Sequence, residues 1–344
     1  MTCYHPLKGF VVGKTASGAD KYKITSYNVD HVELSEKGPV DAFDFHVGQN
    51  AYKVIRDFVE IPCGQCIGCR LEYSRVWANR CFLEMQEPEN KESYFVTLTY
   101  DDEHLPINQF VDKETGVCGD VATLQKRDFQ LFMKRLRKNY KQSNKIRFFA
   151  AGEYGSTTYR PHYHAILFGL HLDDLQLERL SGLHFPLYRS AFVESCWPFG
   201  FSLVAVASWE TCAYTARYIM KKQKGKGSKV YEDYNFEPEF LLMSRKPGIG
   251  RKAFDRDPYS WFESDAHFYS TSSGSVRISE NRYFRKLMDQ LDSSFLDSYN
   301  VFKQNALVCS KLAKLKQTSR SYLEMLEGDE IIAEQKMHKL SRSL

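Results

Sequence analysis

In Tyr159-Arg160-Pro161-His162-Tyr163-His164, two imidazoles flank one bulky residue, and the apolar run Ala165-Ile166-Leu167-Phe168 follows at once. Residues i and i+2 of an extended strand point to the same face, so His162 and His164 would project together from a rigid support. Two imidazoles held that way can ligate a divalent cation. The plainer alternative is a partly exposed strand with incidental histidines. A second segment bears on the choice. No Pro or Gly interrupts Trp209 to Lys224, and the stretch reads as a helix over 209–223. Tyr214 and Tyr218 then stack one turn apart on one face, with Lys221 and Lys222 continuing that edge. A phenol, with a pKa of about 10, is a poor nucleophile at neutral pH. A cation that polarises a phosphodiester, with an ammonium group near the attacking oxygen, removes much of that handicap. One core tyrosine beside solvated lysines is common in amphipathic helices; a paired-histidine strand followed by a paired-tyrosine helix is a much rarer coincidence.

His162-Tyr163-His164 and Tyr214-x3-Tyr218-x2-Lys221-Lys222 resemble the two signature motifs of the HUH endonucleases, the superfamily of rolling-circle replication initiators, relaxases and related transposases. The strand Tyr94-Phe95-Val96-Thr97-Leu98-Thr99-Tyr100 resembles a third element that the superfamily carries upstream of its histidines. Relaxases usually place the tyrosine before the histidines, so the order here fits the initiators, and the paired tyrosines fit their two-tyrosine type. Pro62-Cys63-Gly64-Gln65-Cys66-Ile67-Gly68-Cys69 and Ser244-Arg245-Lys246-Pro247-Gly248-Ile249-Gly250 extend the similarity to the replication initiators of gokushovirus-like microviruses, which are single-stranded DNA phages. The likeness covers roughly residues 60–255.

The resemblance implies an α+β fold with an HUH/RRM-like central antiparallel β-sheet and helices packed on it. It implies a metal-dependent single-strand DNA endonuclease and strand transferase, with a tyrosine nucleophile that leaves a 3′-hydroxyl and a 5′-phosphotyrosine and later religates the strand. The implied partners are single-stranded or supercoiled origin DNA and the host's replicative helicase and polymerase, in the cytoplasm of a bacterial host. Members of the superfamily often add an acidic metal ligand from the neighbouring strand. Ile146 to Gly155 reads as a strand over 145–151 ending at a turn, from which the hairpin folds Glu153 back beside the imidazoles. Two imidazoles and a carboxylate suit Mg²⁺ or Mn²⁺. The alternative for Glu153 is a turn cap or a pair with Arg160. Competing functions are a plasmid initiator or transposase with the same chemistry, a non-catalytic RRM-like binder of single-stranded nucleic acid, and a two-histidine-one-carboxylate iron oxygenase.

Cys63, Cys66 and Cys69 form C-x2-C-x2-C, a spacing that can wrap one zinc ion. The fourth ligand is sought first at Cys3, then His5, then Cys81. Such a zinc would be structural, because nothing nucleophilic adjoins it. Buried unligated thiols and an iron–sulfur cluster are the alternatives.

The 344 residues, 43% of them hydrophobic and 14% aromatic, exclude a disordered chain. No apolar run reaches the ~18 residues needed to span a membrane, and nothing at Met1-Thr2-Cys3-Tyr4 reads as a signal peptide. Nine cysteines without an export signal fit a reducing cytosol. Net charge is only +4, yet charge is segregated: nine Lys or Arg against Asp128 between Lys126 and Arg147, six with no acid from Arg217 to Lys229, and five against Asp255 from Arg245 to Arg256. Segregation of this kind suits contact with phosphates, and marks Lys134, Arg137, Lys138, Arg217, Lys224, Arg245 and Lys246 as candidate DNA-binding groups. Further helices are expected over 70–87, 188–196 and much of 286–340, and a basic amphipathic one over 123–141 with Leu124, Phe129, Phe132, Met133 and Leu136 on its apolar side. Four parts follow: N-terminal strands with a zinc knuckle over 1–70, the endonuclease domain over 71–230, an accessory DNA-binding segment over 231–285 and a helical C-terminal tail over 286–344.

Overall fold

A computed structural model describes residues 3–16, 18–43, 51–155, 157–181, 185–217, 222, 225–271 and 274–342. The chain divides into two compact units, Met1–Glu72 with Ser310–Ser343, and Tyr73–Cys309. The boundaries expected at residues 70, 230 and 285 do not follow this division. Residues 231–309 belong with the central sheet, and the last residues of the chain belong with the first, because their contacts are long-range in sequence and leave no local signal.

In the first unit, β1 (Leu7–Lys14), β2 (Asp20–Ser26), β3 (His31–Ser35), β4 (Gly38–Ala42), β5 (Lys53–Ile55) and β6 (Phe58–Ile61) build two three-stranded sheets, ordered β2-β1-β6 and β4-β3-β5. Phe10, Val29, Val32 and Leu34 form their shared core. The C-terminal stretch is tied in by Lys311, which bonds Glu60 Oε1 at 2.6 Å and the Tyr27 hydroxyl at 2.7 Å.

α1 (Ile67–Met85) leads to the second unit. There follow β7 (Ser93–Tyr100), the hairpin β8 (Ile107–Val111) and β9 (Cys118–Ala122), α2 (Lys126–Asn139), β10 (Arg147–Tyr154), β11 (Pro161–Phe168), β12 (Gln176–Leu180), β13 (Pro186–Arg189), α3 (Ala191–Cys196), β14 (Gly200–Val206), α4 (Trp209–Arg217), α5 (Lys229–Asp233) and β15 (Phe240–Met243). Seven of these strands form one antiparallel sheet, ordered β12-β13-β14-β7-β11-β10-β15. Within it, β7-α2-β10 encloses β11, and β11-α3-β14 encloses β7. This is a doubled split β–α–β unit, so the class is α+β. The expected loop around Pro106 and Gly116 holds the β8–β9 hairpin, and the helix expected over 188–196 begins only at Ala191, after a short strand.

Period-two alternation decides what each face buries. Tyr94, Val96, Leu98 and Tyr100 of β7 meet Phe129, Phe132, Met133 and Leu136 of α2 and Val193 and Cys196 of α3. Each fully buried aliphatic or aromatic side chain contributes roughly 1.5–3 kcal/mol, which makes that amphipathic stripe the chief reason α2 docks. On the opposite face, Phe149, Ile166 and Phe168 pack against Trp77, Ala78 and Cys81 of α1 and Cys212 and Ala216 of α4. Beyond β15, α6 (Arg251–Arg256), α7 (Ser260–Glu263), the hairpin β16 (His267–Thr271) and β17 (Gly274–Ile278), α8 (Arg282–Leu291) and the start of α9 (Ser293–Leu315) close on Phe82 and Leu83 through Phe254, Trp261, Phe284 and Met288. The last helix, α10 (Tyr322–Arg342), lies in the first unit.

Candidate active site

Tyr163, between the two histidines, fixes the strand that carries them. Its side chain turns to the α2 face, is 1% exposed, donates to the Gln125 carbonyl at 2.8 Å and accepts the Gln125 N–H at 3.0 Å. Tyr100, 2.7 Å from that hydroxyl, donates in turn to Asp128. With the odd residue anchored, His162 and His164 must both project from the other face. The antiparallel register sets Glu153 opposite His162 on β10, and Thr99 and Thr97 opposite His162 and His164 on β7.

The strand expected to stop at residue 151 runs on to Tyr154, so Glu153 sits inside the ladder rather than on a returning turn. Gly152, which suggests a turn, lies instead where a side chain has no room: a Cβ there would stand 2.8 Å from the Phe240 ring. Arg160, the alternative partner of Glu153, bonds Asp102 at 2.6 Å and the Tyr100 carbonyl at 3.0 Å.

Glu153 Oε1 lies 2.6 Å from His162 Nε2 and 3.1 Å from His164 Nε2, and one ligand atom from each of the three falls within 4.8 Å of the others. His162 Nδ1 is 3.1 Å from the Arg160 carbonyl, which can only accept, so that nitrogen carries the proton and Nε2 is turned to the carboxylate. His164 Nδ1 is held by Thr97 Oγ1 at 3.0 Å. An outer partner on one ring nitrogen, with the other nitrogen directed at a shared point, is the usual support of a metal-binding histidine. Glu153 is 2% exposed and His164 5%. A carboxylate so buried demands positive charge beside it, and a divalent cation among these three donors meets that demand.

α4 starts at Trp209 because Ser208 and Thr211 cap each other: the Thr211 N–H reaches Ser208 Oγ at 3.3 Å and the Ser208 N–H reaches Thr211 Oγ1 at 2.8 Å. Cys212 and Ala216 bury its inner edge. That rotation leaves Tyr214 against the histidine strand, its ring 5.5 Å from that of His164 and 5.8 Å from that of Phe95, both edge-on. Phe95 stacks flat on His164 at 5.4 Å. Tyr214 is 42% exposed, and the Arg217 guanidinium stands 5.9 Å from its ring centre. Tyr218, Lys221 and Lys224 lie outside the described residues; Lys222 is described and half-buried. Phe95 and Thr97 complete the site, and alternation within the upstream strand is the signal that aligns them with His164.

Of the other basic candidates, Lys134 and Lys138 are exposed on the outer side of α2. Arg137, Arg245 and Lys246 meet, with Lys145 and Arg147, in a cleft of about 620 Å³ between the end of α2 and β15. Arg147 is buried and paired with Glu84, and Arg137 donates twice to the Ile146 carbonyl. Lys145, Arg245 and Lys246 are exposed, and among the described residues no carboxylate pairs with them.

In the first unit, the sulfur atoms of Cys3, Cys63, Cys66 and Cys69 all lie within 4.8 Å of one another. His5 is instead paired with Glu330, and Cys81 is buried beside the central sheet. Backbone N–H groups support the sulfurs: Cys63 N–H on Cys3 at 3.3 Å, Cys66 N–H on Cys63 at 3.3 Å, and Tyr4 N–H on Cys66 at 3.4 Å. Burial raises the Cys3 thiol to about 11. At Cys66 burial acts the same way but is outweighed by the N–H groups of Cys69 and Tyr4 and the neighbouring thiols, which bring it down to about 7. Four convergent sulfurs with such donors form a candidate metal-binding knuckle.

The doubled split β–α–β sheet, with a two-histidine-one-carboxylate cluster on one face and a tyrosine against it, defines an α+β protein with a candidate metal centre. The family model for replication-associated proteins of the ORF2 type matches residues 93–223. Replication-associated protein ORF2 of Spiroplasma virus 4 is 33% identical over 274 residues, covering 78% of this chain and 81% of the relative. Replication-associated protein VP4 of Bdellovibrio phage phiMH2K is 31% identical over 201 residues, covering 57% and 58%. Replication-associated protein ORF4 of Chlamydia phage 1 is 30% identical over 293 residues, covering 81% and 66%. The chain belongs to this family of phage replication-associated proteins. No solved structure matches it.

Proposed function

We propose that this protein is a two-tyrosine HUH endonuclease that initiates rolling-circle replication by nicking the origin of circular phage DNA. The observation that carries the reading is the convergence of Glu153, His162 and His164 on one sheet face with the Tyr214 ring packed against His164. The sheet order supports the HUH/RRM-like architecture. Glu153, His162 and His164 would hold Mg²⁺ or Mn²⁺, which when bound supplies Lewis-acid polarisation of the scissile phosphate. Thr97 and the Arg160 carbonyl hold the two imidazoles in place. The hydroxyl oxygen of Tyr214 or Tyr218 attacks phosphorus and loses its proton, the bond from phosphorus to the 3′ oxygen breaks, and the departing oxygen takes up a proton as a 3′-hydroxyl. Lys221, Lys222 and Arg217 supply positive charge beside the phenols. The phosphodiester energy is kept in the 5′-phosphotyrosine link, so the later attack of a 3′-hydroxyl on it closes a circle without ATP. Host helicase and polymerase extend the 3′ end, in the host cytoplasm; among the described residues no helix is long and apolar enough to cross a membrane. The test is incubation with single-stranded circular DNA: linear product is expected with Mn²⁺ and none with EDTA, and equal cleavage in both would refute the metal-dependent reading.

Lys145, Arg245 and Lys246 hold backbone phosphates away from the metal site, together with Lys134, Lys138 and Lys224. Each phosphate contact removed lowers the log–log salt slope of single-strand binding by ~0.7. Changing Lys145, Arg245 and Lys246 together to Ser should therefore flatten it by about 2. Fluorescence titrations from low to moderate salt measure this, and an unchanged slope would show that the cleft takes no part in binding.

Cys3, Cys63, Cys66 and Cys69 hold a structural zinc. Elemental analysis should find about one zinc per chain that Mg²⁺ does not displace, because thiolates prefer the softer ion. Ser at Cys63, Cys66 or Cys69 should lower the melting temperature by about 5 °C or more, since metal binding is coupled to folding. Zinc-free protein with unchanged melting would reduce the motif to ordinary thiols.

A further inference from the structure

The row of the sheet that carries Glu153 and His162 continues across β7 to β14. Glu153 faces His162, His162 faces Thr99, and Thr99 faces Phe201. Adjacent strands are about 4.8 Å apart, so Phe201 stands about 10 Å from His162, on the same face. Its neighbours along β14 agree with that orientation: Ser202 and Val204 are buried on the α2 face, whereas Phe201 is 69% exposed.

The backbone around Phe201 is fixed tightly. Gly200 has φ +146°, and a Cβ there would stand 2.4 Å from Asp101 N and from Thr99 O. The Trp197 indole donates to the Thr99 carbonyl at 3.1 Å, and Asp101 N–H bonds the Phe199 carbonyl at 2.9 Å. A rigidly mounted, solvent-facing phenyl ring two strands from the metal triad is not explained by packing, because the cores on both faces are complete without it.

Resting on the endonuclease reading, we propose that Phe201 is a base-stacking residue, which takes one nucleobase of the single strand flanking the scissile phosphate and so sets where the strand crosses the sheet. The ligand class follows from the surroundings. A flat apolar face beside half-exposed Thr99 and Thr97 suits a planar heterocycle attached to a polar backbone, and a base–aromatic stack is tolerant of sequence. Phe201 is thus a positioning residue that touches the DNA and not the reacting atoms.

The test is binding of a fluorescein-labelled oligothymidylate (~20 nucleotides, longer than a single stacking site) to the full chain, wild type against Phe201→Ala, Phe201→Leu and Phe201→Trp. Loss of a stacked base should weaken binding roughly 5- to 150-fold in both Phe201→Ala and Phe201→Leu. Leu is apolar but not planar, so equal losses separate stacking from simple burial. Phe201→Trp should keep the affinity, and its indole emission should be quenched on adding the oligonucleotide. Melting temperatures should match wild type, since the side chain is exposed. If wild type binds the oligonucleotide and forms the covalent adduct while Phe201→Ala and Phe201→Leu bind as tightly, the stacking proposal is overturned and the endonuclease reading stands. If wild type itself neither binds nor forms the adduct, the endonuclease reading fails and the stacking proposal falls with it.

Discussion

Replacing His162 and His164 together by Ala should reduce nicking by roughly 10³-fold or more, the several kcal/mol a Lewis acid contributes to charge stabilisation. The fold should persist. The two side chains contribute little to either core, and Tyr163 still anchors the strand through Gln125 and Tyr100. Glu153, buried and stripped of both imidazoles, would be expected to take up a proton rather than stay charged. Calorimetric titration with Mn²⁺ should show the binding event lost along with cleavage. His162→Ala alone is the gentler variant, because its side chain is 18% exposed against 6% for His164, which is wedged between Phe95 and Tyr214. A double variant that cuts at the normal rate would remove the metal centre from the mechanism.

The Tyr→Phe series should produce the other large effect. At Tyr214 the change keeps the edge-on contacts with His164 and Phe95 and deletes only the hydroxyl, so melting should hardly move. One of Tyr214→Phe and Tyr218→Phe should still nick the first strand and fail to close a circle; the double variant should form no adduct. Deleting a nucleophile costs on the order of 10⁶ in rate elsewhere, which places the double variant below detection. A double variant that still attaches to DNA would move the nucleophile away from α4.

What is legible in the sequence is what local geometry dictates. The common projection of His162 and His164 follows from the two-residue period of a strand, and the docking stripe of α2 from the 3.6-residue period of a helix. Three cysteines of the knuckle are visible through their spacing. The fourth is only one choice among three, because Cys3 reaches them through the pairing of β1 with β6. Glu153 is identifiable but easily misplaced: Gly152 reads as a turn residue, and only the packed Phe240 ring shows that it is a glycine of close approach. The basic cleft is hidden because Arg137 and Arg245 meet across an edge strand, Phe240–Met243, that is too short and too uniformly apolar to show alternation. Phe201 is invisible for the same kind of reason, since its place beside His162 is a matter of register across three strands.

The measurement that tests the central claim most directly is mass-spectrometric mapping of the peptide left attached to DNA after single-stranded circular substrate, protein and Mn²⁺ are incubated and the product is digested. The expected result is a 5′-phosphotyrosine on Tyr214 or Tyr218, within the peptide that carries α4. A phosphate on serine, on any other tyrosine, or cleaved DNA with no attached peptide would contradict it.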